Sequence, residues 1–213
     1  MSVIHVVKRD GTKEPFDANK INAAILKACD GLPDQVSKVV QVATELQLTL
    51  FDGITTEQLD EAVIQTALQN VKDDPDYDKI AARLLLKTIY KSILGDYETA
   101  DELKKLHARE FPKFVKAAVK DGLLDERMSD GRFDLKKLGE ALRPERDDLS
   151  KYLGVMTNKN RYALRKQSGD PLETSQFTHM RIAMGLSYNE PDPTAAAIEF
   201  YEHMSQLEYL PGG

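Results

Sequence analysis

Hydropathy periodicity places this chain in the mainly α class with a small β-hairpin: a hairpin plus four-helix bundle, followed by a second helical segment. Three observations carry that expectation. A β-branched run, Val3-Ile4 and Val6-Val7, precedes the turn signal Arg9-Asp10-Gly11-Thr12 and a returning stretch from Lys13 to Phe16, the pattern of a hairpin. Apolar residues then recur at helical spacing almost to the end of the chain. Gly, Pro and Asp fall between those periodic stretches, where helices need stops and starts.

Taken in order, Asp17 suits a helix N-cap, because its carboxylate can accept from a free amide of the first turn. Ile21, Ala24, Ile25 and Ala28 form one face of that helix, which Gly31 ends before Pro33. Val36, Val39, Val40, Ala43 and Leu46 predict a second helix from Asp34 to Leu48. Phe51-Asp52-Gly53 is a turn, and Thr55 or Thr56 caps a third helix bearing Leu59, Val63, Ala67 and Leu68. Asp73-Asp74-Pro75 breaks it. A fourth helix from Asp76 carries Ile80, Leu84, Ile89 and Ile93 and stops near Gly95. This first unit is expected over residues 1–97 and the second helical segment over 98–213.

In the second segment, Ala100 to Ala118 reads as one or two amphipathic helices, because Pro112 interrupts the pattern. Asp121-Gly122, Ser129-Asp130-Gly131 and Arg143-Pro144-Glu145 read as turns. The polar stretch from Tyr152-Leu153 to Gly169-Asp170-Pro171 is expected as a loop or a small hairpin. Helices at Glu173 to Leu186 and Thr194 to Leu207 follow, and Tyr209 to Gly213 read as the approach to a further element. No internal repeat is visible.

Composition closes several functional classes. Lys and Arg number 29 against 35 Asp and Glu, a net charge of −6, which argues against wholesale binding to nucleic acid or anionic membrane. The one cysteine, Cys29, excludes an internal disulfide, a CxxC pair and a multi-cysteine zinc site. It lies at a helix C-terminus among apolar residues, which reads as a buried structural thiol. No apolar run reaches the roughly 18–20 residues needed to span a membrane. The first residues lack the apolar stretch of a secretory signal, so a cytoplasmic location is expected. Neither GxxxxGK[ST] nor GxGxxG occurs, and there is no Gly-x-Ser-x-Gly elbow. Glu199 and His203 are four apart on a helix, a solvated pair rather than a metal site, since two ligands do not complete one.

One local feature runs against the acidic balance. Between Lys8 and Lys27 stand five basic residues (Lys8, Arg9, Lys13, Lys20, Lys27) and three acidic ones. Lys8 and Arg9 fall at the hairpin turn, and Lys20 in the first turn of a helix, beside free amides and the positive end of the helix dipole. That geometry favours phosphate. Glu14 and Asp17 can accept from an exocyclic amine or a ribose hydroxyl. Spacing alone leaves a solvated basic turn as the competing reading.

The residues also carry a family resemblance. Val6-Val7-Lys8-Arg9-Asp10-Gly11 with Glu14, Phe16-Asp17 and Lys20-Ile21 resembles the opening of the ATP-cone, the regulatory nucleotide-binding domain of ribonucleotide reductases. The likeness continues through Phe51 to Thr56 with Leu59-Asp60, then Pro75-Asp76-Tyr77, Ala81-Ala82-Arg83-Leu84 and Lys91. Arg146-Asp147-Asp148-Leu149 with Tyr152-Leu153, Glu173 to Phe177, Met180 to Leu186, Ala197 to Tyr201 and Leu210-Pro211 are similar to the helical segment opening the large, catalytic subunit. A repressor that also carries a cone needs zinc-ribbon cysteines that are missing here.

The resemblance implies an activity switch that binds ATP or dATP with magnesium and shifts oligomer assembly. Val6, Lys8 and Arg9 match the strand and turn holding base and phosphates, and Lys20 and Lys91 match phosphate-binding lysines. Thr56 matches a helix-start hydroxyl that reaches phosphate, Glu14 and Asp17 match positions facing the adenine, and Asp60 stands near the ribose. Structural alternatives stand beside these: Thr56 or Asp17 as a simple cap, Lys91 as a solvated lysine. The catalytic cysteines of the family are expected beyond Gly213, in a barrel, so this segment alone should be inactive in making deoxyribonucleotides. Implied partners are the remainder of the large subunit, a radical-generating small subunit and further copies of the chain. The alternative is a degenerate cone, a helical interaction module that no longer binds nucleotide.

Overall fold

The computed structural model describes residues 4–209. Val3, expected in the first strand, and the closing Leu210-Pro211 lie outside the described residues. The chain divides into two compact units, Met1–Thr88 and Ile89–Gly213. The division falls inside a helix, whereas the sequence boundary expected at 97/98 follows that helix's end.

In the first unit, β1 (His5–Val7) and β2 (Lys13–Pro15) form the expected hairpin, with Val6 opposite Glu14 and Gly11 in the left-handed region at φ 83°. A third strand, β3 (Ile54–Thr55), was not expected. It pairs in parallel with β1, Val6 beside Ile54 and Val7 beside Thr55, giving the sheet order β2-β1-β3. Two residues are too few to show a strand period, so only the chain's return to β1 defines it. The turn before β3 is held by Gly53, whose N–H donates to the His5 carbonyl at 2.9 Å, and by Asp52, which accepts from the His5 N–H at 2.8 Å.

Four helices complete this unit: α1 (Ala18–Ala28), α2 (Gln35–Gln47), α3 (Thr56–Gln69) and α4 (Asp76–Leu94). Asp17 caps α1 as expected, accepting from the Asn19 N–H at 2.9 Å. Thr55, not Thr56, caps α3, in a reciprocal box with Gln58. Ile25, Val42, Leu46, Ile54, Val63, Ala67 and Ile80 are nearly or fully buried and make the core. Cys29 is fully buried beside them, and burial raises its thiol pKa, as befits a structural cysteine. Two cations tie helix ends together. Arg83 on α4 donates to the Ala28 and Asp30 carbonyls at 2.9 and 2.6 Å, satisfying the C-terminal end of α1. Lys38, only 4% exposed, reaches Asp74 at 2.8 Å, Asp76 at 3.2 Å and the Pro33 carbonyl at 3.0 Å.

In the second unit, helices are joined by turns and short loops, with one isolated bridge between Arg165 and Pro171. α5 (Ala100–Lys120) runs unbroken through Pro112. Proline removes the donor that would meet the Ala108 carbonyl. α6 (Leu135–Ala141) packs there through Gly139, where a Cβ would lie 2.5 Å from that oxygen. The turn expected at Arg143-Pro144-Glu145 opens a short 3-10 helix, Pro144–Leu149. The polar stretch expected as a loop begins instead as α7 (Tyr152–Thr157) and a π turn (Asn158–Tyr162) before the Arg165–Pro171 bridge. α8 (Ser175–Leu186) and α9 (Pro193–Ser205) close the unit, α8 capped by Thr174 and α9 by Asp192. Both begin within two residues of the expected positions. Phe111, Phe177, Met180, Met184 and Tyr201 are all but fully buried at its core. Taken together, the described elements are the mainly α architecture with a small β component that periodicity predicts.

Candidate functional site

Parallel pairing of β1 with β3 brings two distant sequence segments to one edge. β1 runs out into Lys8-Arg9, and β3 runs directly into the N-terminus of α3 at Thr56-Glu57. Anions are favoured at such an edge, where strand ends meet free helix amides. Val6, on the central strand, is 9% exposed and floors the edge. Lys8 Nζ lies 2.5 Å from Glu14 Oε1, and Arg9 Nε donates to Glu57 Oε1 at 2.6 Å. The side chains in both pairs are 44–54% exposed, so the ionic contacts are open to exchange with solvent and solutes.

The electrostatics follow from these contacts. The Glu14 hydrogen bond raises the Lys8 pKa, and Lys8 lowers that of Glu14, with the positive field of Lys20 adding to it. Glu57 also sits below the usual carboxylate range, because its own backbone N–H and Arg9 both donate to it. Lys20, in the first turn of α1, is exposed and within electrostatic reach of Glu14. The structure thus gathers Val6, Lys8, Arg9, Glu14, Lys20 and Thr56. Asp60 lies one turn further along α3, half-buried. Asp17 is occupied as the cap of α1. Since Thr55 supplies the cap of α3, the Thr56 hydroxyl is spared that duty and lies 3.4 Å from Glu57 Oε2. Lys91 belongs to the second unit, in the last turn of α4, where it pairs with Asp96 at 3.0 Å. Sequence reading missed Glu57. Its only signal was an acidic residue in a first helical turn, a commonplace adjustment to the helix dipole.

Comparison with known proteins matches two stretches of the chain to described domains. Residues 4–92 match the ATP cone domain, and residues 148–213 match the ribonucleotide reductase all-alpha domain. The ribonucleoside-diphosphate reductase subunit alpha of Helicobacter pylori is 35% identical over 211 residues, covering 98% of this chain and 25% of that protein. The subunit alpha of Chlamydia trachomatis is 32% identical over 209 residues, covering 98% and 20%. That of Enterobacteria phage T4 is 30% identical over 210 residues, covering 96% and 26%. The chain joins an ATP cone domain to a ribonucleotide reductase all-alpha domain. It spans about a quarter of the length of the curated relatives it matches.

In the second unit, several polar residues of the motifs that carried the resemblance are buried joints. Asp147, 4% exposed, accepts from the Tyr90 hydroxyl and from Gln176 Nε2 at 2.5 Å; the Tyr201 hydroxyl donates to Gln176 Oε1 and accepts from the Arg143 N–H at 2.6 Å. Burial outweighs these bonds and pushes the Asp147 pKa up to about 6. Glu173, its side chain fully buried, holds Arg181 through both oxygens at 2.5 and 3.0 Å and accepts from the Leu164 N–H at 2.8 Å. A cavity of about 630 Å³ lies between α7 and α8, walled by Leu149, Leu153, Tyr162, Ile182 and Leu207 with His179 among them. Burial lowers the His179 pKa to about 4, so it is neutral at pH 7. Among the described residues no group of three or more His, Cys, Asp and Glu could hold a metal ion, and no helix is long and apolar enough to cross a membrane.

Proposed function

We propose that this chain is the nucleotide-sensing, activity-regulating part of a ribonucleotide reductase large subunit, an enzyme that makes deoxyribonucleotides from ribonucleotides. The observation that carries the reading is the cation edge. Lys8 and Arg9 meet the N-terminus of α3 at Thr56, inside the span that matches the ATP cone domain. A triphosphate would take Lys8, Arg9, Lys20 and the Thr56 hydroxyl. The base would lie against Val6, Glu14 and Asp17, and the ribose near Asp60. Lys91 is a further phosphate ligand in this reading. Magnesium would arrive on the phosphates, since the described residues hold no acidic cluster of their own for it.

The function assigned is a switch. ATP and dATP move an assembly equilibrium only by their difference in affinity for its two states, with a coupling of about 1–3 kcal/mol. Residues 1–97 form the sensing domain and 98–213 the opening helical part of the catalytic domain. The assembly would involve the rest of the large subunit, a radical-generating small subunit and further copies of this chain, in the cytoplasm. The exposed Leu149, Leu153 and Leu207 around the cavity support a surface that other parts of the enzyme cover. By itself the chain, with one buried cysteine, is not catalytic.

Calorimetry of the 213-residue chain with ATP and with dATP in magnesium buffer tests this. Binding of either, lost on joint Lys8→Glu and Arg9→Glu substitution, is the expected result. Absence of binding by both nucleotides, with the fold intact by circular dichroism, would return the chain to a helical interaction module.

A further inference from the structure

Two cations of the proposed phosphate site, Lys8 and Arg9, are paired with carboxylates, and the partner of Arg9 has no role in the nucleotide reading. Glu57 projects from the first turn of α3, where free amides and the helix dipole attract an anion. Its Oε1 accepts from Arg9 Nε at 2.6 Å, and its Oε2 lies 3.4 Å from the Thr56 hydroxyl. Thus one carboxylate engages the arginine, the hydroxyl and the helix N-terminus that a phosphate would use.

We propose that Glu57 is an internal competitor for the nucleotide phosphates, and that its displacement from Arg9 and Thr56 sets the affinity of the ATP cone. The inference rests on the nucleotide reading above. Two physical facts make it quantitative. The Arg9–Glu57 pair is half-exposed on both sides, and pairs of that kind contribute little, so a triphosphate can displace the carboxylate. Once displaced, the carboxylate remains on the same turn of α3, close to a multiply charged anion, and repels it in a salt-dependent way. Glu57 therefore weakens binding without preventing it. The cap of α3 belongs to Thr55 and Gln58, so removing the charge leaves the helix start in place.

The test is calorimetric titration of MgATP into the wild-type chain, Glu57→Gln, Glu57→Lys and Glu61→Gln. Glu61 is an exposed residue one turn along α3, hydrogen-bonded to Gln65 at 2.6 Å, and controls for a general change of charge. Expected is roughly three- to tenfold tighter binding for Glu57→Gln at low salt, a larger gain for Glu57→Lys, and a gap from wild type that narrows as sodium chloride rises. Glu61→Gln should bind like wild type. Wild-type binding that Glu57→Gln leaves unchanged or weakens overturns the inference alone, and weakening would make Glu57 a ligand of the nucleotide or its magnesium. If neither wild type nor any variant binds, the nucleotide reading falls as well.

Discussion

Ion pairs stand in both units of this molecule, but they are used in opposite ways. At the β1–β3 edge, Lys8–Glu14 and Arg9–Glu57 are half-exposed, so each cation can trade its carboxylate for another anion. In the second unit, Glu173–Arg181 has one side chain fully buried and the other 16% exposed, with a backbone N–H claimed as well. Asp147 accepts from Tyr90 and Gln176, and Gln176 in turn accepts from Tyr201. Identical chemistry makes an exchangeable contact where water reaches it and a rigid joint where water does not. The first unit also contains a joint of its own, Lys38 with Asp74 and Asp76, away from the edge. Exposure, more than charge count, therefore separates exchangeable ion pairs from fixed ones.

The sharpest way to break the comparison is to cut one pair of each kind. Glu173→Ala leaves Arg181 and the Leu164 N–H without their buried acceptor, and should cost about 3–5 kcal/mol in denaturant unfolding. Lys8→Glu in the exposed set should cost less than about 1 kcal/mol while abolishing nucleotide binding. Similar stability losses in the two variants would erase the distinction drawn here.

Acid titration sharpens it next. The Asp147 pKa is raised to about 6, so its contribution is full below the unfolded value of 3.8 and is lost as pH rises through 6. His107 and His179, both lowered from 6.5 to about 4 by burial, act the other way: their contribution is present above 6.5 and is lost as pH falls through 4. Asp147 therefore opposes the two histidines between pH 4 and 6. Asp147→Asn should steepen the rise of stability with pH in that window by one proton, about 1.4 kcal/mol per pH unit. Parallel stability–pH curves for the variant and wild type would refute the assignment. No such dependence is expected from the exposed edge.

The smallest effect concerns two adjacent threonines. Thr55→Ala removes the α3 capping box and should lower stability by about 1 kcal/mol. Thr56→Ala should leave stability unchanged within about 0.5 kcal/mol and weaken MgATP binding instead. Equal losses of stability in both variants would deny Thr56 a separate role.

Local signals made much of this molecule legible. Asp17, the turn at Gly11, the broken stretch at Asp73-Asp74-Pro75, the periodic faces of α1, α3 and α4 and the positions of α8 and α9 stand where side-chain chemistry places them. The face expected for α2 does not: Lys38, Val42 and Leu46 are buried, while Val36 and Val40 are exposed, because the partners of a helix and not its apolar count decide which stripe turns inward. α6 and α7 escaped because helices of seven and six residues are too short to repeat a face. Pro112 left one helix or two open, and the structure has one: the Ala108 carbonyl it leaves without its helical donor is covered by α6 at Gly139.

For the candidate site, residue types and their spacing singled out Lys8, Arg9 and Lys20 as a basic patch suited to phosphate or a solvated turn, with Glu14 and Asp17 as acceptors beside it. Recognition of the cone added Val6, Thr56, Asp60 and Lys91. Those are properties of segments, readable one segment at a time. Which threonine caps α3, which carboxylate holds Arg9, and the presence of Glu57 at the edge depend on β3 pairing in parallel with β1. That pairing joins residues about 48 apart in the chain and leaves no periodic trace in two residues of strand. Local preference thus determined the helices and the hairpin, while long-range backbone hydrogen bonding alone decided which charges meet.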